Sequence, residues 1–210
     1  MKNTIITALC LLMFALASAQ TDSILVDYPT KGASEFGLGF NYNGTYATDN
    51  GFTSADGFST GDSYSFSVQY EYFLSSSWGI KTKLNFDVKA VEAEFPQVIE
   101  DQINLYYLTL PLMANWHFGK RKRWYLHFGP YIGYMIRAEL DSNGDTSIRT
   151  LFNTIEYGSD LGIGVRIKAG DDMWFFIESD TQSSFSAPFR NTALFDEKLV
   201  RSTLGFGIIF

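Results

Sequence analysis

The sequence predicts an all-β fold: an eight-stranded antiparallel up-and-down barrel that crosses a membrane on its strands. Three observations carry that expectation. Apolar residues recur at every second position through eight segments, with almost no amphipathic helix. The connections between those segments alternate long and short, as the loops and turns of a membrane barrel do. The final segment sets Val200, Ser202, Leu204, Phe206, Ile208 and Phe210 against Arg201, Thr203, Gly205, Gly207 and Ile209, and its last residue is aromatic.

Taken from the amino terminus, Lys2 supplies a positive charge, Ile5 to Leu16 an apolar run, and Ala17-Ser18-Ala19 a small-residue cleavage site before Gln20. Residues 1–19 therefore read as a secretory signal peptide cut between Ala19 and Gln20. The run is shorter than the ~20 residues a spanning helix needs. Cys10, the single cysteine, lies inside this run, so the mature chain of about 190 residues has no disulfide and forms one domain. Residues 20–33 read as a short periplasmic segment and 34–210 as the barrel.

The first strand sets Phe36, Leu38, Phe40 and Tyr42 against Glu35, Gly37, Gly39, Asn41 and Asn43. The second opposes Tyr64, Phe66, Val68, Tyr70, Tyr72 and Leu74 to Ser63, Ser65, Ser67, Gln69, Glu71 and Phe73. In the third, Trp78, Ile80, Leu84, Phe86 and Val88 alternate with Gly79, Lys81, Lys83, Asn85, Asp87 and Lys89. The fourth carries Pro111, which cannot donate to a ladder, so a bulge or local break is expected there. The fifth faces Leu126, Phe128, Ile132 and Ile136 outward and Tyr125, His127, Tyr131 and Arg137 inward. The sixth opposes Leu161, Ile163, Val165 and Ile167 to Asp160, Gly162, Gly164, Arg166 and Lys168, and the seventh turns Trp174, Phe176, Glu178, Asp180 and Gln182 inward. Gly44 to Asp62, Glu92 to Gln102, Leu140 to Glu156 and Ser184 to Glu197 read as long loops. Ser75 to Ser77, Gly119 to Arg123 and Ala169 to Asp172 read as short turns.

Alternation alone also fits a soluble sandwich or a lipocalin-like barrel, which would turn the apolar face inward. Lipid is favoured by aromatics near strand ends, where interfacial girdles belong: Tyr42, Tyr64, Tyr72, Trp78, Trp116 and Trp124. With the apolar face outward, the lumen receives Glu35, Glu71, Asp87, Asp160, Glu178 and Asp180 against Lys81, Lys83, Lys89, Arg137, Arg166, Lys168 and Arg201. An eight-stranded barrel is just wide enough for side chains to fill, and an unpaired buried charge is costly. A salt-bridged network that plugs the lumen is expected.

Few residues suggest chemistry. Lys plus Arg (16) fall short of Asp plus Glu (23), and no basic stripe exists, which argues against nucleic acid. His117 and His127 are the two histidines, and each is expected to pair with a lumen carboxylate rather than act as a general base. Asp141-Ser142-Asn143-Gly144-Asp145 opens like a calcium loop, but Thr146 and Phe152 stand where glycine and a bidentate glutamate are required. No zinc spacing or phosphate-cradling glycine motif is present, so neither a metal nor a cofactor is expected, and no enzyme.

Tyr107-Leu108-Thr109-Leu110-Pro111-Leu112, Phe128-Gly129-Pro130-Tyr131-Ile132-Gly133-Tyr134, Asp160-Leu161-Gly162-Ile163-Gly164 and the glycine-bearing last strand resemble the PorT-like outer-membrane β-barrel domain family of the Bacteroidota. The resemblance runs from about Ser34 onward. Where this chain has Thr109, the family pattern often has an acidic residue. The resemblance implies that Phe210 is an assembly signal recognised by the barrel-assembly machinery.

The expected protein is therefore a monomer in the bacterial outer membrane, both termini periplasmic, contacting outer-membrane lipid, with a structural or surface-interaction role. A narrow transporter of a small ligand and a lipid-modifying enzyme are the alternatives. The long loops carry acidic residues, among them Asp49, Asp56, Asp62, Glu92, Glu94, Glu100 and Asp101, and the Lys120 to Arg123 turn is basic. These are the surfaces expected to meet any surface or periplasmic protein partner.

Overall fold

The computed structural model describes residues 29–48, 58–93, 101–140, 146–170, 173–190 and 197–210. The strands are β1 (Ser34–Thr48), β2 (Phe58–Phe73), β3 (Trp78–Ala93), β4 (Asp101–Phe118), β5 (Trp124–Leu140), β6 (Thr146–Ser147), β7 (Ile155–Lys168), β8 (Trp174–Ser184) and β9 (Lys198–Ile209). Eight of them form a ring in which each pairs antiparallel with the next, β5 passing directly to β7. The ring closes where β9 pairs with β1, from Gly37↔Ile209 to Thr48↔Lys198. Past the strand ends Phe210 extends this seam: its N–H donates to the Phe36 carbonyl at 2.8 Å, and the Phe36 N–H donates back at 3.0 Å. β6 is a two-residue addition beside the end of β5. The expected eight-stranded antiparallel barrel is the fold observed.

The barrel is inside out relative to a water-soluble one. Phe36, Phe66, Phe86, Leu112, Leu161 and Phe206 are exposed, while Lys81, Lys83, Asp87, Glu178 and Arg201 are buried. The sign of the alternation, which period two leaves open, is what lipid requires. The strands of the ring, from 11 residues in β8 to 18 in β4, reach or exceed the ~9–11 that cross a bilayer. Trp78 and Trp116 stack with ring centroids 6.2 Å apart at the short-turn end. Three of the four tryptophans, Trp78, Trp116 and Trp124, are exposed on the outer face, whereas Trp174 lies inside. Reconstitution into vesicles with brominated acyl chains is accordingly expected to quench more than half of the tryptophan emission relative to unbrominated vesicles. Emission unchanged by bromination would contradict a lipid-facing exterior.

Of the bulge or local break expected at Pro111, the structure has the break: register is unchanged, but the β3 ladder skips from Thr82↔Leu112 to Asn85↔Thr109 and the β5 ladder from Pro111↔Tyr131 to Ala114↔Phe128, and Thr82 Oγ1 donates to the Pro111 carbonyl at 2.8 Å. The bulge lies instead on β5, where Tyr106 pairs with Arg137 but Tyr107 pairs with Met135, leaving Ile136 as the extra residue. That extra residue reverses the inside-outside parity beyond it. Arg137, expected in the lumen, therefore points outward with its side chain 52% exposed and pairs with Glu139. The Leu140 to Glu156 loop also holds more structure than expected, including β6 and a 3₁₀ turn, Arg149–Leu151. The signal segment with Ala19 and Gln20, the 141–145 run, and Asp49, Asp56, Glu94 and Glu100 lie outside the described residues.

Candidate functional site

The lumen is the one place where the fold concentrates polar chemistry among the described residues, and it is organised in tiers along the barrel axis. At the short-turn end Arg166 of β7 grips Glu35 of β1 with two hydrogen bonds, 2.8 and 2.6 Å. The guanidinium also lies 4.5 Å from the Trp174 ring centre. Beside it, Glu71 of β2 accepts from both Asn115 Nδ2, at 2.9 Å, and His117 Nε2, at 2.8 Å.

The central tier joins β3 to β8 across the lumen. Lys81 donates to Glu178 at 2.8 Å, and Lys83 donates to Glu178 at 2.6 Å and to Asp180 at 2.8 Å. Tyr125 adds a 3.0 Å hydrogen bond to Glu178, and its ring sits 4.6 Å from Lys81 Nζ. All four charged side chains are at most 4% exposed. Next to this group Gln182 Nε2 donates to Asp160 Oδ2 at 2.8 Å, and His127 Nε2 stands 3.4 Å from Asp160 Oδ1.

Nearer the loop end Arg201 pairs with Asp87, and Lys89 pairs with Glu156, which also accepts from Tyr131. Above these pairs the lumen turns apolar. Ala47, Ile103, Leu105, Tyr107, Met135, Ala138, Phe152 and Leu199 form a buried cluster that caps the charged tiers. Phe152, just past the 3₁₀ turn, meets Phe189 from the segment after β8 with ring centres 4.6 Å apart. Asn153 Nδ2 donates to the carbonyls of Ala187 and Phe189, and Arg190 Nε donates to that of Phe152, so two loops are clasped over the mouth.

Of the expected network, Glu35, Glu71, Lys81, Lys83, Asp87, Asp160, Arg166, Glu178, Asp180 and Arg201 are brought together, and Arg137 is not. Glu156 belongs to the network and was read as loop. Extending the sixth segment's alternation from Asp160 by two further steps reaches it. Among the described residues, the inward carboxylates Glu35, Glu71, Asp87, Glu156, Asp160, Glu178 and Asp180 stand with Lys81, Lys83, Lys89, Arg166 and Arg201, while Lys168 and Arg123 reach the inward Trp174 ring at the turn end. Among the described residues, Glu71 and Asp160 each have a histidine as ion-pair partner, His117 and His127 respectively.

Solved structures of similar fold include OprG of Pseudomonas aeruginosa, with a TM-score of 0.53 at 14% identity, covering 88% of this chain and 98% of that one. Ail, the attachment invasion locus protein of Yersinia pestis, gives a TM-score of 0.45 at 16% identity over 84% of this chain and 99% of that one. No curated protein matches the chain. The outer membrane protein beta-barrel domain family matches residues 19–190, which take in β1 to β8. The chain belongs to that family and is a barrel of the bacterial outer membrane.

Proposed function

We propose that this chain is a structural or surface-interaction protein of the PorT-like type, with a lumen closed by its own side chains and no open pore. The observation that carries this reading is the central tier, where Lys81, Lys83, Glu178 and Asp180 span the lumen at hydrogen-bonding distance. A narrow lumen filled by paired charges leaves no continuous water path. In planar lipid bilayers the protein is expected to give no unitary conductance steps. Steps of constant size from the purified barrel, absent when protein is omitted, would overturn a closed lumen.

The reading includes no catalysis. His117 Nε2 is engaged by Glu71 and Asn115, and neither His127 nitrogen makes a hydrogen bond, so no hydroxyl nucleophile is held by either ring. In this proposal the chain is exported by its signal peptide and works as a monomer, with its short turns in the periplasm and Phe210 read by the barrel-assembly machinery. Phe210 is 57% exposed on the lipid side of the seam, open to such recognition. The basic turn and the acidic loops are its surfaces for a periplasmic or external protein partner.

A second reading, a narrow transporter of a small apolar ligand, is favoured by one feature. A narrow apolar cleft lies against the cap between Ala47, Ile103, Phe152, Pro188, Phe189 and Leu199.

A further inference from the structure

We propose that His127, Asp160 and Asp180 form a binding site for one divalent first-row transition metal ion, of the zinc class, in the middle of the lumen. The proposal deepens the closed-lumen reading by naming what completes its charge. It begins with strand register. His127 on β5 and Asp180 on β8 both pair with Gly162 of β7, one from each side, and Asp160 sits two residues earlier on the same inward face of β7. Gly162 lets them converge: a Cβ there would lie 2.4 Å from His127 Nε2 and 2.6 Å from Asp180 Cβ. One donor atom from each of the three residues lies within 4.8 Å of the other two, and all three side chains are buried.

Their other partners leave the same atoms over on each. Lys83 takes Oδ2 of Asp180, and Gln182 takes Oδ2 of Asp160. Oδ1 of Asp180, Nδ1 of His127 and Oε1 of Gln182 are buried without a hydrogen bond, and His127 Nε2 and Asp160 Oδ1 have only each other, at a long 3.4 Å. Groups of this kind are costly to bury unpaired. A cation that accepts one lone pair from each offsets that cost. Three ligands of type N, O, O with Gln182 Oε1 as a neighbouring fourth donor match zinc and its row. The imidazole disfavours the hard cations calcium and magnesium.

Charge points the same way: the site gathers two carboxylates, and the one ammonium hydrogen-bonded to either of them among the described residues, Lys83, is shared with Glu178. Lys83 bridges Glu178 and Oδ2 of Asp180 and leaves Oδ1 of Asp180 without a hydrogen bond. Tyr125 and the Lys81–Glu178 pair enclose the site from the turn end, so the ion enters as the barrel forms.

The full chain, unfolded in urea with a chelator and refolded into detergent micelles with ZnCl₂, is the test, with zinc counted after the free metal is removed. The expected result is about one zinc per folded chain, with at least a tenfold loss in His127→Gln and in Asp160→Asn. Glu71→Gln, at the other histidine–carboxylate pair, is expected to retain it. Heat-modified gel migration reports the folded barrel separately, so failure of the metal site and failure of the fold are distinguishable. Should the variants not fold, Co²⁺ on the wild-type barrel serves instead: visible d–d bands that zinc bleaches support the site. Wild-type barrel without stoichiometric zinc and without Co²⁺ bands would overturn the proposal, as would full zinc content in folded His127→Gln.

Discussion

Lys83→Met is expected to destabilise the folded barrel by about 3–5 kcal/mol, read from urea unfolding in lipid vesicles. Among the described residues, Lys83 Nζ is the sole hydrogen-bond donor to Asp180 Oδ2 and one of three groups on Glu178. Methionine preserves the length of the stem and removes the charge, so Asp180 Oδ2 is left buried without its ammonium partner. Deleting one member of a buried pair costs far more than the pair itself contributes, because desolvation of the survivor is no longer offset. The same physics sets the rescue. Lys83→Met combined with Asp180→Leu leaves Lys81 matched to Glu178 and is expected to recover at least about half of the loss. A single variant within about 0.5 kcal/mol of wild type would mean that water reaches these charges and that the lumen is not closed.

Gly207→Val is expected to abolish closure, seen as loss of the heat-modifiable form on unboiled gels. Gly207 on β9 pairs with Gly39 on β1 and with Phe176 on β8, at the seam itself. A Cβ at this position would fall 2.0 Å from the Leu38 carbonyl oxygen and 2.8 Å from Gly39 Cα, and 2.7 Å from Phe176 Cε1. Two of those three atoms are backbone, which no rotamer change can move aside. Overpacking a fitted interior ordinarily costs about 1–3 kcal/mol, and a clash with the partner strand's own backbone lies at or above that range. Gly170, where a Cβ would meet only Met173 Cβ at 3.9 Å, provides the contrast: Gly170→Ala is expected to keep full migration behaviour. Normal migration of Gly207→Val would mean that β1 and β9 are not held at this spacing.

What could be read from the sequence follows from which physical rules are local. Period two is local, so Lys81, Lys83, Glu178 and Asp180 could be put on inward faces before any fold was known. Partnership is not local. Lys83 and Asp180 meet across the lumen because of how many residues each ladder is staggered, and nothing within β3 or β8 encodes that. The His127, Asp160 and Asp180 cluster is hidden for the same reason, since metal-ligand spacings are recognised within one segment and these residues lie on three. Arg137 shows the opposite failure. The apolar-polar rhythm runs unbroken through Tyr134 and Ile136, but one extra residue opposite Tyr106 flips everything after it. Pro111 marks the local break expected of a residue without an N–H, where both neighbouring ladders skip pairs with no change of register, whereas a bulge needs an added residue.

The seam between β1 and β9 also sets the order of events in time. Neighbouring strands can pair as hairpins within about 1–10 μs of being brought together. β1, however, finds its second partner in the strand that comes last of the nine in the chain. Until then it carries a row of unsatisfied N–H and C=O groups, a template for any other extended chain. Contacts between such distant segments are slow to form. The delay before ring closure, rather than the making of any hairpin, is therefore the window in which this chain is most exposed to aggregation.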